Sequence, residues 1–505
     1  MPPADERRPS AQVGGAPARA EADWDAGCWI LLTAIVALFV LRLPLIGVRV
    51  FDNDELEHAH AAWNVSQGLV PYRDFFEHHT PWYHFALAPF FHWFAVDQSL
   101  EAARHFLIFG RFLSLALTAL SVVLVFLVAR LGGSRRVGLW TGLFLAGQPV
   151  VMQKTLEIRP DVLALPFFIG ALWFLLRGMR SDDASRSRRL RWFLGGGLCL
   201  GAAIMCTQKM LFVLPGALVG LGIWVLRGRR TRTRASRVAA ALVLLLGVAG
   251  PVLVTWMGFA LRGAGVQFIY DNFLLNARVR LGSNRALPLI LKTSWPILLL
   301  CLLGAWSALV ARHRAERRDD GDLLLICILG GFVAGIPIVR VAYEQYYLPA
   351  MTIVCLFAAR GLGSLLARSG HRARVWAVMG AAVALSIWPV IDLRRSLGIR
   401  NDLQLARLRF VYAHTGPADR VLDGWLGTNV FRPAPHYYFF MHSELAAMLT
   451  ESEKNAYLDA VTGDNDRPAL IALDAELVAL GPRFLRFVHD NYVHAEGVFY
   501  LPRVN

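Results

Sequence analysis

Long apolar runs recur along this chain from about position 28 to position 392, separated by short polar loops. Roughly eleven of them reach or approach the about 20 residues that a helix needs to cross a bilayer. They lie near 28–48, 105–130, 137–153, 160–178, 192–206, 209–226, 238–260, 288–311, 322–340, 348–366 and 375–392. One longer polar interruption, 49–104, follows the first run. After about 393 the long runs stop. Shorter ones take their place: Pro468–Asp474 and Gly497–Leu501 predict strands, while Ser443–Leu449 and Pro482–Val488 predict helices. The pattern therefore predicts a polytopic α-helical membrane protein with about 11 transmembrane helices, carrying a small C-terminal α/β domain of a size able to fold alone. Three parts follow: a tail at 1–23, a membrane domain at 24–392 that includes the 49–104 loop, and a soluble domain at 393–505. The tail is rich in Ala, Pro and charge and shows no cleavable signal pattern, so it reads as disordered and cytoplasmic, with the first span an uncleaved anchor.

Composition agrees with the pattern. Of 505 residues, 56% are hydrophobic and only 18% charged, too apolar for a soluble chain of this length. The formal net charge of +15 would suit a nucleic-acid binder, but its placement argues otherwise. Arginines gather after the second span (Arg130, Arg135, Arg136), the fourth (Arg177, Arg180, Arg186), the sixth (Arg227, Arg234, Arg237), the eighth (Arg312) and the tenth (Arg372). Such alternation follows the positive-inside rule and turns 49–104 and the C-terminal domain outward. Arg394, Arg395 and Arg400 run against that assignment for the tail. All six cysteines fall within or beside apolar spans, which implies neither a disulfide framework nor a zinc site.

The 49–104 loop carries the candidate chemistry. From Phe51 to Gly68 there is no proline, and Leu56, Ala59 and Trp63 recur at helical spacing, predicting an amphipathic helix lying on the membrane surface. Asp52, Asp54, Glu55 and Glu57 crowd its start, with His58 one turn beyond Asp54. Acids at a helix N-terminus can simply complement the dipole, but a carboxylate at the mouth of a bundle is also placed to act as a general base. The next segment, Pro71–His84, mixes Arg73, Asp74 and His79 with aromatic rings, a surface suited to a polyol. Among the turns that share its side, one holds Arg159-Pro160-Asp161, where Asp161 also serves as a helix-start acid. A second holds Lys209, one of only four lysines, in a tight turn between apolar runs where an ionisable group is costly unless used. Snorkelling to the interface is the alternative for Lys209.

These motifs, taken in order, resemble the dolichyl-phosphate-mannose:protein mannosyltransferase family of GT-C glycosyltransferases and its bacterial relatives, the lipid A aminoarabinose transferases. The resemblance rests on Asp54-Glu55 after the first span, Pro71-Tyr-Arg-Asp74 and Thr80-Pro-Trp-Tyr83, Arg159-Pro-Asp161, Thr207-Gln-Lys209, and Arg340-Val-Ala-Tyr-Glu-Gln-Tyr-Tyr-Leu-Pro349. It departs at Thr80-Pro81, where a double proline is commoner, at His79, where relatives often have lysine, and at Gln208, inserted in the Thr-Lys turn. The resemblance implies an integral protein of a bacterial inner membrane with an extracytoplasmic active site. It implies a sugar moved from a polyprenyl-phosphate donor to an acceptor hydroxyl, with inversion, the Asp54-Glu55 pair being catalytic and Asp54 the base. It further implies donor phosphate or sugar contacts from Lys209, Arg278, Arg159, Asp161, Arg340, Tyr343, Tyr346, Arg73, Asp74 and His79, and no cofactor or metal, although the acidic cluster could admit a divalent cation; Tyr347 reads as part of an interfacial aromatic belt. A lipid or glycan transporter or flippase, or a glycan polymerase of the same architecture, is the competing reading. A transporter would want ionisable groups near the midplane in repeated halves, whereas here they gather at one face.

Overall fold

The structure, a computed structural model, describes residues 24–180, 185–227, 233–278, 286–313, 320–335, 343–367, 370–463 and 467–503. Helices occupy every predicted apolar run. In the first half these are α1 (Ala26–Val40) with α2 (Leu43–Val48), α5 (Leu100–Arg130), α6 (Arg135–Ala146) with α7 (Pro149–Lys154), and α8 (Pro160–Arg180). The rest are α9 (Arg186–Cys206), α10 (Val213–Arg227), α11 (Arg234–Ala260), α13 (Ala286–His313), α14 (Asp320–Gly335), α15 (Leu348–Leu366) and α16 (His371–Gly398). Side-chain caps set several starts: Asp25 accepts from the Cys28 amide at 2.9 Å, and Ser99, Ser134, Ser185 and Thr233 do the same work for α5, α6, α9 and α11.

Among the described residues, seven stretches are long and apolar enough to cross a membrane: 26–48, 100–130, 160–180, 208–227, 234–260, 286–313 and 344–366. The chain is an integral membrane protein. Of the other predicted runs, α6 has 12 residues and α14 has 16 described residues, short of a full span. Leu246, Leu302 and Trp306 point outward and are more than half exposed, as lipid-facing side chains are. The helices approach closely where side chains are absent. A Cβ on Gly197 would stand 2.3 Å from the Leu244 carbonyl of α11, and one on Gly304 would stand 1.9 Å from the Phe357 carbonyl of α15. In lipid, where burial of apolar surface gives no net drive, such small-residue seams provide the packing.

The 49–104 loop folds into α3 (Asn53–Ser66), a strap through 70–80, α4 (Trp82–Leu87) and a 3₁₀ turn at Ala88–Trp93. Between α11 and α13 lies α12 (Gly265–Ile269), continued by one π turn at Tyr270–Leu275. After α16 come α17 (Asp402–His414), α18 (Ser443–Met448), α19 (Glu451–Thr462), α20 (Ala475–Val478) and α21 (Pro482–Asn491). They surround a sheet of β1 (Val421–Asp423), β2 (Leu470–Ala472), β3 (Tyr492–Glu496) and β4 (Phe499–Pro502), in the order β1-β2-β4-β3. β1 and β2 are parallel; β4 runs antiparallel to both its neighbours.

The predicted amphipathic helix with a wet polar face is corrected here: α3 is enclosed by protein along most of its length. Every residue from Glu55 to Asn64 is buried. Leu56, Ala59 and Trp63 pack with Phe51, Phe106 and Phe431, while Ala61 joins a second core with Phe75, Phe76 and Phe439. Arg111, the strap and the C-terminal segment together cover the face that the sequence would leave wet. Gly427 permits the closest approach: its φ is +71°, and a Cβ there would meet Leu56 at 2.4 Å. Tyr347 is corrected too. It is only 4% exposed and belongs to the bundle core rather than to an interfacial belt, because the 3₁₀ turn Glu344–Tyr347 turns its ring inward.

Candidate active site

The start of α3 is fixed by a capping box. The Asp52 carboxylate accepts from the Asp54 amide at 3.1 Å, and the Asp52 amide donates to Glu55 Oε1 at 3.0 Å. Glu55, fully buried, takes both prongs of the Arg111 guanidinium from α5, at 2.7 and 2.9 Å, and the Ile158 amide at 3.2 Å. Arg111 also donates to the Ile46, Arg49 and Val50 carbonyls. Glu55 thus anchors α3 to α5 and to the 155–159 turn. Its neighbour Asp54 points the other way and keeps 35% of its side chain exposed.

Asp54 opens a run of alternating charges. Arg159, 2% exposed, reaches Asp54 at 2.5 Å, Glu157 at 2.9 Å and Asp161 at 3.9 Å. Asp161 in turn holds Lys209 at 3.2 Å. The Lys209 ammonium lies 4.7 Å from the centre of the Tyr346 ring. Lys154 bridges Asp52 and Glu157 at 3.2 and 3.3 Å. Burial acts to raise the Asp54 pKa, but the nearby Arg159, Lys154 and Lys209 charges overcome it and hold the carboxyl below its usual range. Asp54 is therefore ionised and partly open to solvent, which is the state a base requires.

One turn further along α3, Glu57 and His58 meet the strap. His79 Nδ1 lies 3.1 Å from Glu77 Oε1 and 3.9 Å from Glu57 Oε1, and His78 Nδ1 lies 3.5 Å from Glu57 Oε1. His84 Nε2 stands 3.5 Å from Glu77 Oε2. Burial, with the Glu77 and Asp54 charges, pushes Glu57 well above the carboxylate range, and burial lifts Glu77 to about 8. Burial also drives His78 and His84 down to about 3. The His78 carbonyl accepts from Gln208 at 2.8 Å and from Asn276 at 3.0 Å, joining the strap to the Lys209 turn. That contact gives the inserted Gln208 a structural task.

The predicted residues separate into groups. Asp54, Arg159, Asp161, Lys209 and Tyr346 form one network. Tyr343 donates to Glu444 at the start of α18, close enough to Asp54 for its charge to act on the phenol. His79 belongs to the carboxylate and histidine cluster. Arg73 and Asp74 pair with each other at 2.8 Å, and Asp74 accepts from the Val70 amide at 2.7 Å, closing a turn around Tyr72, whose φ is +67°, while Arg73 also donates to the Arg262 carbonyl at 3.4 Å. Arg278 donates to the Tyr270 hydroxyl at 2.8 Å on the exposed side. Arg340 lies outside the described residues. Sequence reasoning passed over Arg111, Glu157 and the Glu77–His78 pair, and did not foresee His442 and Glu444 closing in from the C-terminal segment. Arg111 was findable as a lone cation inside an apolar run. His442 and Glu444 were not, since nothing local ties α18 to α3.

The family profile described as dolichyl-phosphate-mannose-protein mannosyltransferase matches residues 88–256, about a third of the chain. ArnT from Cupriavidus metallidurans, solved bound to undecaprenyl phosphate, superposes with a TM-score of 0.58 at 16% identity, over 88% of this chain and 93% of its own. The archaeal oligosaccharyltransferase AglB from Archaeoglobus fulgidus, solved with an inhibitory peptide and a dolichol-phosphate, gives 0.54 at 12% identity, over 81% of this chain and 64% of its own. No curated protein matches by sequence. The chain has the fold of these two structures, the GT-C fold that its ordered motifs led one to expect.

Proposed function

We propose that this protein is an inverting glycosyltransferase that moves a sugar from a polyprenyl-phosphate donor to an acceptor hydroxyl at the extracytoplasmic face of a bacterial inner membrane. The observation that carries the reading is the ionised, half-open Asp54 joined through Arg159 and Asp161 to Lys209. In the proposed step Asp54 takes the acceptor's proton, the acceptor oxygen bonds to the anomeric carbon, and the bond from that carbon to the phosphate oxygen breaks with its electrons leaving on phosphate. Lys209 and Arg159 meet the growing phosphate charge from a preorganised, water-poor position. Glu55 holds Asp54 in place and does not touch substrate. The undecaprenyl phosphate in ArnT supports the choice of donor.

Sidedness is supported by α8. Its 21 residues rise about 31 Å, near the thickness of a bilayer core, from Arg159 at one end to Arg177 and Arg180 at the other. At the latter end Asp322 is paired with both Arg180 and Arg360, at 3.1 and 2.5 Å. The arginine-rich ends are the cytoplasmic ones by the positive-inside rule, which leaves Asp54 outside.

The test uses purified protein and a polyprenyl-phosphate sugar with no ion gradient. Asp54→Asn is expected to cut transfer by about 10²–10⁴-fold while donor binding is kept. Lys209→Ala is expected to weaken donor binding more than Asp54→Asn does. Normal turnover by Asp54→Asn would remove Asp54 from the role of base, and movement of intact lipid without sugar transfer would favour a flippase.

A further inference from the structure

The strap and the second turn of α3 place four metal-ligating side chains around one point, apart from the charges assigned to donor and base. Glu57, Glu77, His78 and His79 each offer one ligand atom, and these atoms all lie within 4.8 Å of one another. Glu57 is 5% exposed, Glu77 0% and His79 8%. Among the described residues, Glu57 Oε1, Glu77 Oε2 and His78 Nδ1 are buried with no hydrogen-bond partner. Buried polar atoms of native proteins are nearly always satisfied, and two carboxylates sunk together must be neutralised, by protons or by a cation between them. A proton shared along the His79–Glu77 contact satisfies one edge of the cluster and leaves the other atoms unbonded. A single divalent cation would engage all four residues.

We infer that Glu57, Glu77, His78 and His79 form a closed site for one divalent transition-metal ion, zinc by its ligand set. Bonds of about 2.0–2.2 Å from Zn²⁺ to imidazole nitrogen and carboxylate oxygen put tetrahedral ligand atoms about 3.3–3.6 Å apart. Three of the six edges, at 3.1, 3.5 and 3.9 Å, lie around that spacing, and all six are within 4.8 Å. Four protein ligands leave no open position, which marks a structural centre rather than a catalytic one. Its work is to pin the strap to α3 one turn from Asp54. The His78 carbonyl, bonded to Gln208 and Asn276, passes that constraint to the Lys209 turn. The resemblance implied no metal, and spacing alone could not suggest this one, since its ligands come from two segments, 20 positions apart, whose approach only the fold reveals. The site stands whether or not the chain transfers sugar.

The experiment measures metal rather than activity. Full-length protein, purified in detergent without chelator, is expected to hold about one zinc per chain by elemental analysis. His78→Ala/His79→Ala is expected to lower that content by roughly tenfold or more. Should the double variant fail to fold, the wild type suffices. After chelation, added Zn²⁺ is expected to raise its melting temperature in a concentration-dependent way, and added Co²⁺ to give the visible absorption of a tetrahedral centre. Wild-type protein that holds no metal, shows no Zn²⁺-dependent melting shift and gives no Co²⁺ band would overturn the site. So would a double variant that is folded and equally loaded. None of these readouts needs a glycosyl donor, so failure here and failure of the transferase reading are separable.

Discussion

Asp54 and Glu55 are adjacent, of the same chemistry, and have opposite fates, because each side chain leaves α3 toward a different neighbour. Glu55 meets Arg111 with both members buried. Removing one partner from such a pair strands a charge and costs about 3–5 kcal/mol. Arg111→Met is therefore expected to lower thermal stability in detergent sharply, and Arg111→Met with Glu55→Gln to recover much of the loss; equal damage in both would show that the pair carries little coupling. Asp54 is governed by Arg159. With the wild-type charges in place its carboxyl sits below the usual range, so ionised Asp54 persists as pH falls toward 5 and sets no acidic limb there. In Arg159→Gln the burial that opposes ionisation is no longer overcome, although Lys154 and Lys209 remain, and Asp52 and Glu57 add negative charge. The acidic limb of the pH–rate profile is then expected to move to higher pH than in the wild type. A profile that loses height without changing shape would mean that Arg159 does not tune Asp54.

Among the elements, the membrane helices were legible because their signal is local: an apolar run of bilayer length needs no tertiary partner to be recognised. The short strand β2 and the helices α18 and α21 were legible for the same reason. α3 was misread as a surface helix because its polar face is buried by Arg111, the strap and the C-terminal segment, none of which its own spacing reveals, and β1 is too short and β3 too polar to stand out. The Glu57, Glu77, His78 and His79 cluster escaped for a related reason, since histidines in a strap show no ligand spacing until α3 folds against them. The contact that hid α3 can be tested at Gly427. An alanine there must hold a left-handed φ, at about 1–2 kcal/mol, and its Cβ would collide with Leu56. Gly427→Ala is expected to loosen the C-terminal segment, read as faster proteolysis after α16. Leu56→Ala opens a cavity of its own, yet combined with Gly427→Ala it is expected to be less than additive in melting temperature, because the smaller side chain relieves the collision. Full additivity would place the cost in the backbone alone.

Across the whole molecule, the C-terminal segment closes over α3 and reaches the edge of the site through Tyr343 and Glu444, and one buried carboxyl is expected to make that seating sensitive to pH. Asp271, in the π turn after α12, accepts from the Tyr437 hydroxyl at 2.6 Å and from Gln267 at 2.8 Å. Nearby, the Tyr270 hydroxyl donates to Glu453 at 3.0 Å across the same junction. Burial raises the Asp271 pKa to about 7 against the effect of those hydrogen bonds, and the Glu453 charge adds to the rise. The folded state thus binds this proton more tightly than the unfolded chain does, where the carboxyl titrates near 3.9. Stability from this group is complete below that unfolded value and is lost as pH climbs through about 7. Asp423, lifted to about 6 by burial, changes in an overlapping window, so a pH scan of wild type alone would not single out Asp271. The difference between wild type and Asp271→Asn does. Hydrogen exchange in α18 and α19 is expected to quicken between pH 5 and 8 beyond its intrinsic pH dependence in the wild type, and to do so less in Asp271→Asn, whose amide keeps a hydrogen bond to Tyr437 at every pH. Parallel curves for the two proteins would mean that Asp271 does not control the seating, and that the pH response of the junction belongs to other groups.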